Sequence, residues 1–219
     1  MATRQVLAEL ALDFERRTGT AVRLEAVGGV DAAQRVKDGE AFDGVVLARG
    51  ALQGLEEAGR LVPGSTVGLV NSGVYVAVPA GAGSPDISTE MTLKAAVLAA
   101  PSIGYSTGPS GTYLLKLFER WGIGEAIAAR IVQARPGVPV ASLMARGDIA
   151  LGFQQLSELV GVPGIDIVGP LPAAVQLITT FSGAVCRSST QPEAVRALLA
   201  FMAAPETAAT KQRHGMEPA

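Results

Sequence analysis

The sequence predicts an α/β fold in two lobes, and three observations carry that expectation. Apolar runs of strand length alternate with segments of helical period along most of the 219 residues. Gly44-Val45-Val46-Leu47-Ala48 is apolar throughout, the pattern of a strand covered by helices on both faces. Two strand-like runs, at 73–79 and 175–185, bracket a middle section with its own alternation of strands and helices. With both runs crossing between lobes, residues 1–76 and 179–219 form lobe one and 77–178 form lobe two. Each lobe is expected to be a mainly parallel sheet flanked by helices, the crossings acting as hinges.

Val6, Leu7, Leu10, Ala11 and Phe14 recur at helical spacing after a capping Thr3, and Gly19 is a stop signal. The alternation of Val22, Leu24 and Ala26 with Arg23 and Glu25 predicts a strand over 21–26. Gly28-Gly29 then makes a turn, and Asp31 caps a short helix ending at Gly39. A helix over 51–58 follows the apolar strand at 44–48. Beyond the Gly/Pro/Ser loop at 79–85, helices are expected at 89–99, 111–121, 124–130 and 138–146, with strands at 102–106, 131–134, 149–153 and 165–168. Pro192 and Pro205 suit the first turns of two last helices, at 191–203 and 205–213, where a missing N–H costs little.

The composition narrows the function classes. Eighteen basic and 20 acidic residues give a net charge of −2 with no basic block, so nucleic acid is not the expected partner. A single cysteine, Cys186, rules out an intrachain disulfide, and with only His214 beside it no zinc set is formed. No metal or cofactor is expected. There is no membrane-spanning run, and the N-terminus enters a helix without an export signal. The expected location is periplasmic if a leader has been removed or omitted, and otherwise cytoplasmic. A monomer is expected.

The segments Glu40-Ala41-Phe42-Asp43-Gly44-Val45-Val46-Leu47, Asn71-Ser72-Gly73-Val74-Tyr75-Val76-Ala77-Val78 and Gly147-Asp148-Ile149-Ala150-Leu151-Gly152 together resemble the periplasmic molybdate-binding family. The likeness runs over nearly the whole chain. It implies a two-lobed periplasmic-binding-protein fold that closes over a small anion. The chain departs from that family in three places. The strand and serine that members carry before their first helix are not present, which would leave a sheet edge unpaired. Val27-Gly28-Gly29-Val30 stands for a loop that normally contains a hydroxyl, and Phe153-Gln154-Gln155-Leu156-Ser157-Glu158 stands for a tyrosine-containing stretch. A branch of the superfamily that includes an aconitate isomerase resembles the chain in these departures.

An anion site needs converging N–H and O–H donors, and helix N-termini supply them with a favourable dipole. The loop from Tyr105 to Tyr113 joins a strand end to a helix start, which makes Ser106, Ser110, Gly111 and Thr112 candidate contacts. An ordinary capped turn would use the same residue types. Gly28, Gly29 and Arg49 follow expected strands, where open α/β sheets bind ligands. Thr3 and Arg4 open the first helix, and an arginine fork suits a carboxylate. Gln154, Gln155 and Ser157 end another strand. Glu158 and His214 are the weak candidates for a catalytic base, each with a simpler reading at a helix surface or terminus.

The first functional expectation is a solute-binding protein of an ABC-type importer that captures a small anion between its lobes, with a permease as partner. The alternative is an isomerase of the aconitate type on the same fold. A third reading, an intracellular ligand-sensing module, would use the same cleft without transport.

Overall fold

The computed structural model describes residues 2–219. The chain divides into two compact units, one running through Ser72 and resuming at Thr179–Ala219, the other spanning Gly73–Ile178. The chain therefore passes from one unit to the other twice.

Unit 1 opens with α1 (Arg4–Thr18), which buries Val6, Leu7, Leu10, Ala11 and Phe14 and stops at Gly19 with φ 73°. Then come α2 (Gly29–Lys37), β1 (Gly44–Ala48) and α3 (Arg49–Glu57). The helix α2 starts two residues before Asp31, with Gly28 as its N-cap; Asp31 sits in the first turn, where a carboxylate complements the helix dipole. The strand β2 (Val67–Pro79) is 13 residues long and carries the chain from unit 1 into unit 2.

Residues 21–26 are not a strand. A strand exists by its ladder, and this segment has no strand partner among the described residues: there β1 is the end strand of its sheet and pairs with a neighbour on one side only. Arg23, Leu24, Glu25 and Ala26 are exposed, and Leu24 retains 45% of its surface. The segment is held instead by side chains, with the Val22 N–H donating to the Glu15 carboxylate and Glu25 pairing with Arg35.

Unit 2 contains α4 (Glu90–Ala99), β3 (Ile103–Tyr105), α5 (Pro109–Arg120), α6 (Gly124–Ile127), β4 (Ile131–Gln133), α7 (Val140–Ala145), β5 (Leu151–Gln155) and β6 (Ile165–Pro170). Thr89 and Thr92 cap α4 reciprocally, side chain to backbone in both directions. Gly104 and Gly152 stand side by side on β3 and β5; a Cβ on either would collide with Ile149 or Met144, at 2.3 Å in both cases. Those two glycines let the covering side chains close onto the sheet.

The chain returns to unit 1 through β7 (Ile178–Val185) and ends in α8 (Pro192–Ala203), α9 (Ala208–Arg213) and the short β8 (Glu217–Pro218). A 3-10 turn at Pro205–Thr207 precedes α9, so the last helix is shorter than its sequence pattern suggests. In unit 1 the strand order is β1-β7-β2 with β8 against β2; in unit 2 it is β2-β5-β3-β4 with β6 against β2. Parallel pairing joins β3 to β4 and to β5, while β1 with β7 and β2 with β5, β6 and β8 run antiparallel, so the mainly parallel sheet expected for each lobe is not found among the described residues: the strands that cross between units, β2 and β7, run against these neighbours.

Each unit has its own core. In unit 1, α1 and α8 pack on one face of the sheet with Leu69, Val70 and Val185, and α2 and α3 pack on the other with Val45, Leu47 and Ala184. The largest cluster of unit 2 runs from Val74 and Val76 through Phe118 to Phe153, whose rings meet edge to face at 6.1 Å. Among the described residues no helix is long and apolar enough to cross a membrane.

Candidate functional site

In unit 2 the parallel ladder sets Tyr105, Phe153 and Gln133 level with one another, so the segments that follow β3, β5 and β4 leave the sheet at one end. Ser106, Gln154 and the approach to α7 therefore gather there. This is the end of an α/β sheet at which ligands are held.

The turn into α5 is tightly built. The Ser106 and Ser110 hydroxyls lie 3.3 Å apart, and the Gly108 N–H points to the Ser106 Oγ at 3.4 Å. Gly111 packs so closely that a Cβ there would fall 1.7 Å from the Ser106 carbonyl oxygen. Ser110 is buried and no acidic residue lies in the first turn of α5, so its dipole is free to meet an anion. Thr112 is exposed on the outer side of the helix.

Gln154 and Gln155 are both buried, and they differ in use. The Gln154 side-chain carbonyl accepts the Ala141 N–H at 3.1 Å, satisfying a donor at the start of α7 that would otherwise be orphaned. Gln154 thus orients the start of α7. Glu158 ends the 3-10 turn that follows β5, and burial pushes its carboxyl above the ordinary 4.5. Beside it the buried Ser157 Oγ has no hydrogen-bond partner among the described residues.

In unit 1, α2 and α3 begin at the same end of β1. Gly29 lies against Leu47, at 3.9 Å from its Cβ position, and Arg49 opens α3 directly after Ala48. Arg49 is exposed, shares its helix start with no acidic residue and has no ion-pair partner among the described residues. Asp31 is different: its carboxylate fills the space beside Gly28, 3.1 Å from where a Cβ would be, and partly neutralises the start of α2. Thr3 and Arg4 open α1 on the opposite face of the sheet, with Thr3 buried and Arg4 exposed.

Sequence reasoning did not single out Ser182. It is fully buried on β7 opposite Leu47, and its hydroxyl has no partner among the described residues. The hydroxyl-rich run Thr179-Thr180-Phe181-Ser182 was the available signal. Thr180 is engaged, donating to the Asn71 side-chain Oδ1 at 2.7 Å. His214 is engaged too: its Nε2 lies 2.8 Å from Glu9, which also pairs with Arg213, so the imidazole ties the end of α9 to α1. Among the described residues no three His, Cys, Asp or Glu side chains gather as metal ligands.

The profile of the bacterial extracellular solute-binding protein family matches residues 1–217. The chain belongs to this family. Among curated relatives, an aconitate isomerase from a Pseudomonas species is 38% identical to this solute-binding protein over 218 residues, covering 97% of this chain and 83% of the relative. The periplasmic molybdate-binding protein of Azotobacter vinelandii has the same fold, with a TM-score of 0.79 at 21% identity over 98% of this chain and 95% of that one. A tungstate-binding protein from Desulfovibrio alaskensis superposes with a TM-score of 0.68 at 18% identity, covering 93% and 86% of the two chains. The fold resemblance to molybdate binders expected from the three sequence segments is thus confirmed, as is the two-lobed α/β class.

Proposed function

We propose that this solute-binding protein recognises a small tricarboxylate and shifts its double bond, as its relative named aconitate isomerase does. The observation that carries this reading is the 38% identity to that enzyme across 97% of the chain. The molybdate and tungstate binders share the fold at far lower identity, so they speak less to the ligand.

The donor sets agree with a carboxylate-rich ligand. Arg49 stands unpaired at a helix start, and a guanidinium meets a carboxylate with two parallel hydrogen bonds. The Gly28-Gly29 turn offers peptide N–H groups without a hydroxyl, and Asp31 beside it disfavours a compact dianion there. Ser106 and Ser110 at the start of α5 supply the donors of unit 2.

The chemistry needs one base and no redox partner. In our reading the Glu158 carboxylate removes a proton from the saturated carbon next to a carboxylate. The electron pair delocalises across the allylic system, and the protonated carboxyl, which exchanges with solvent, delivers a proton at the far carbon as the double bond moves. Atoms and charge balance, and no cofactor takes part. A carboxyl raised by burial is closer to the pKa range in which such a base returns its proton.

Proton NMR of the purified protein with trans-aconitate in deuterated water tests this. Appearance of the cis isomer, with deuterium entering the allylic position and both lost in Glu158→Gln, is the expected result. Unchanged trans-aconitate over many hours would overturn the isomerase reading. The second reading, capture of an oxyanion for an ABC permease in an extracytoplasmic compartment, is favoured by the molybdate- and tungstate-binding neighbours, and would then stand.

A further inference from the structure

We infer that unit 1 carries a second anion site, built around Arg60 and Arg187 at the end of β1 opposite Arg49. A concavity of about 240 Å³ opens there, lined by Val36, Gly39, Gly59, Arg60, Arg187 and Ser188. The helices α2 and α3 end at this pole, β1 begins at it, and the chain leaves β7 into it.

The two arginines are held face to face by the backbone. Leu61 and Cys186 form an antiparallel bridge, and the Arg187 N–H donates to the Arg60 carbonyl at 2.8 Å. Like charges set directly opposite each other across such a pairing are unfavourable unless something neutral or negative lies between them. Neither guanidinium has a hydrogen bond or ion pair among the described residues. The neighbouring carboxylates are occupied elsewhere: Glu40 by Arg35, Asp38 by Gln34 and Asp43 by the Ser189 hydroxyl.

The rest of the pocket completes an acceptor-seeking surface. Gly39, at φ 88°, brings the chain close under Arg60, whose Nη1 lies 3.7 Å from the missing Cβ. The Ser188 hydroxyl donates to the Phe42 carbonyl at 2.9 Å, while its peptide N–H donates to no group among the described residues. Two planar forks and a free N–H suit a carboxylate or a phosphate, and the volume admits either group. The nearby helix C-termini oppose an anion, so binding requires both arginines together. None of these residues belongs to the donor sets of the proposed function, so the inference stands apart from that reading.

The test is an amide-resolved NMR titration of the intact protein with inorganic phosphate and, separately, with succinate. Saturable shifts at Gly39, Gly59 and Ser188 with either anion, abolished in Arg60→Ala/Arg187→Ala while its melting curve is unchanged, are the expected result; the anion that acts identifies the class. No saturable movement with either anion, or equal movement in the double variant, would overturn the site. Shifts at Gly28, Gly29 or the Arg49 amide report the other site and are read separately.

Discussion

Gly111 lies against Ser106 so closely that a Cβ would sit 1.7 Å from the Ser106 carbonyl oxygen and 2.8 Å from the Tyr105 ring. No rotamer relieves a clash with backbone, so Gly111→Ala must push α5 away from the end of β3. The expected cost is about 1–3 kcal/mol of stability, measured by urea unfolding, together with loss of ligand binding. Thr112→Ala, on the exposed side of the same turn, should stay within about 0.5 kcal/mol of the parent.

Gln154→Ala leaves the Ala141 N–H buried without an acceptor. That should lower stability by about 1–3 kcal/mol. Because Gln154 lies just before the turn that carries Glu158, turnover should fall as well, chiefly in kcat.

Glu158→Gln separates stability from activity. Burial raises the carboxyl above 4.5, so the folded state keeps its proton to higher pH than the unfolded chain does. Stability is therefore unaffected by this group below the unfolded pKa, and falls as pH rises from there to the folded pKa. The glutamine variant should melt higher than the parent at neutral pH, with the difference vanishing below about pH 4, and should not isomerise trans-aconitate.

The Cys186 thiol is pushed up to about 11 by burial first and by the Asp43 carboxylate second. It should be inert to a disulfide reagent in the native protein and react at once in guanidinium. Fast reaction under native conditions would place the strand exit after β7 in an open state.

Most elements were readable because their signals are local. Thr89, Gly19 and Pro192 bound their helices where capping chemistry predicts. The strand expected at 21–26 failed for a non-local reason: alternation marks a face, while a strand needs a neighbour, and none among the described residues pairs with that segment. The start of β2 at Val67 was hidden by Gly68 and Asn71, which weaken the local pattern while long-range pairing with β7 and β8 holds the chain extended. In the candidate site, the glycine and serine turn before α5 was legible from residue type. The positioning role of Gln154 was not, because its partner Ala141 is brought to it only by the packing of α7 on β5. Ser182 escaped because a serine within a strand carries no mark of being unpartnered.

The most direct test of the ligand class is calorimetric titration of the protein with trans-aconitate and with molybdate, repeated on Arg49→Ala. Recognition of a tricarboxylate predicts saturable binding of trans-aconitate, weakened about 10- to 100-fold in the variant as expected for loss of a charged hydrogen bond, and no heat with molybdate. Tight binding of molybdate with none of trans-aconitate would contradict it.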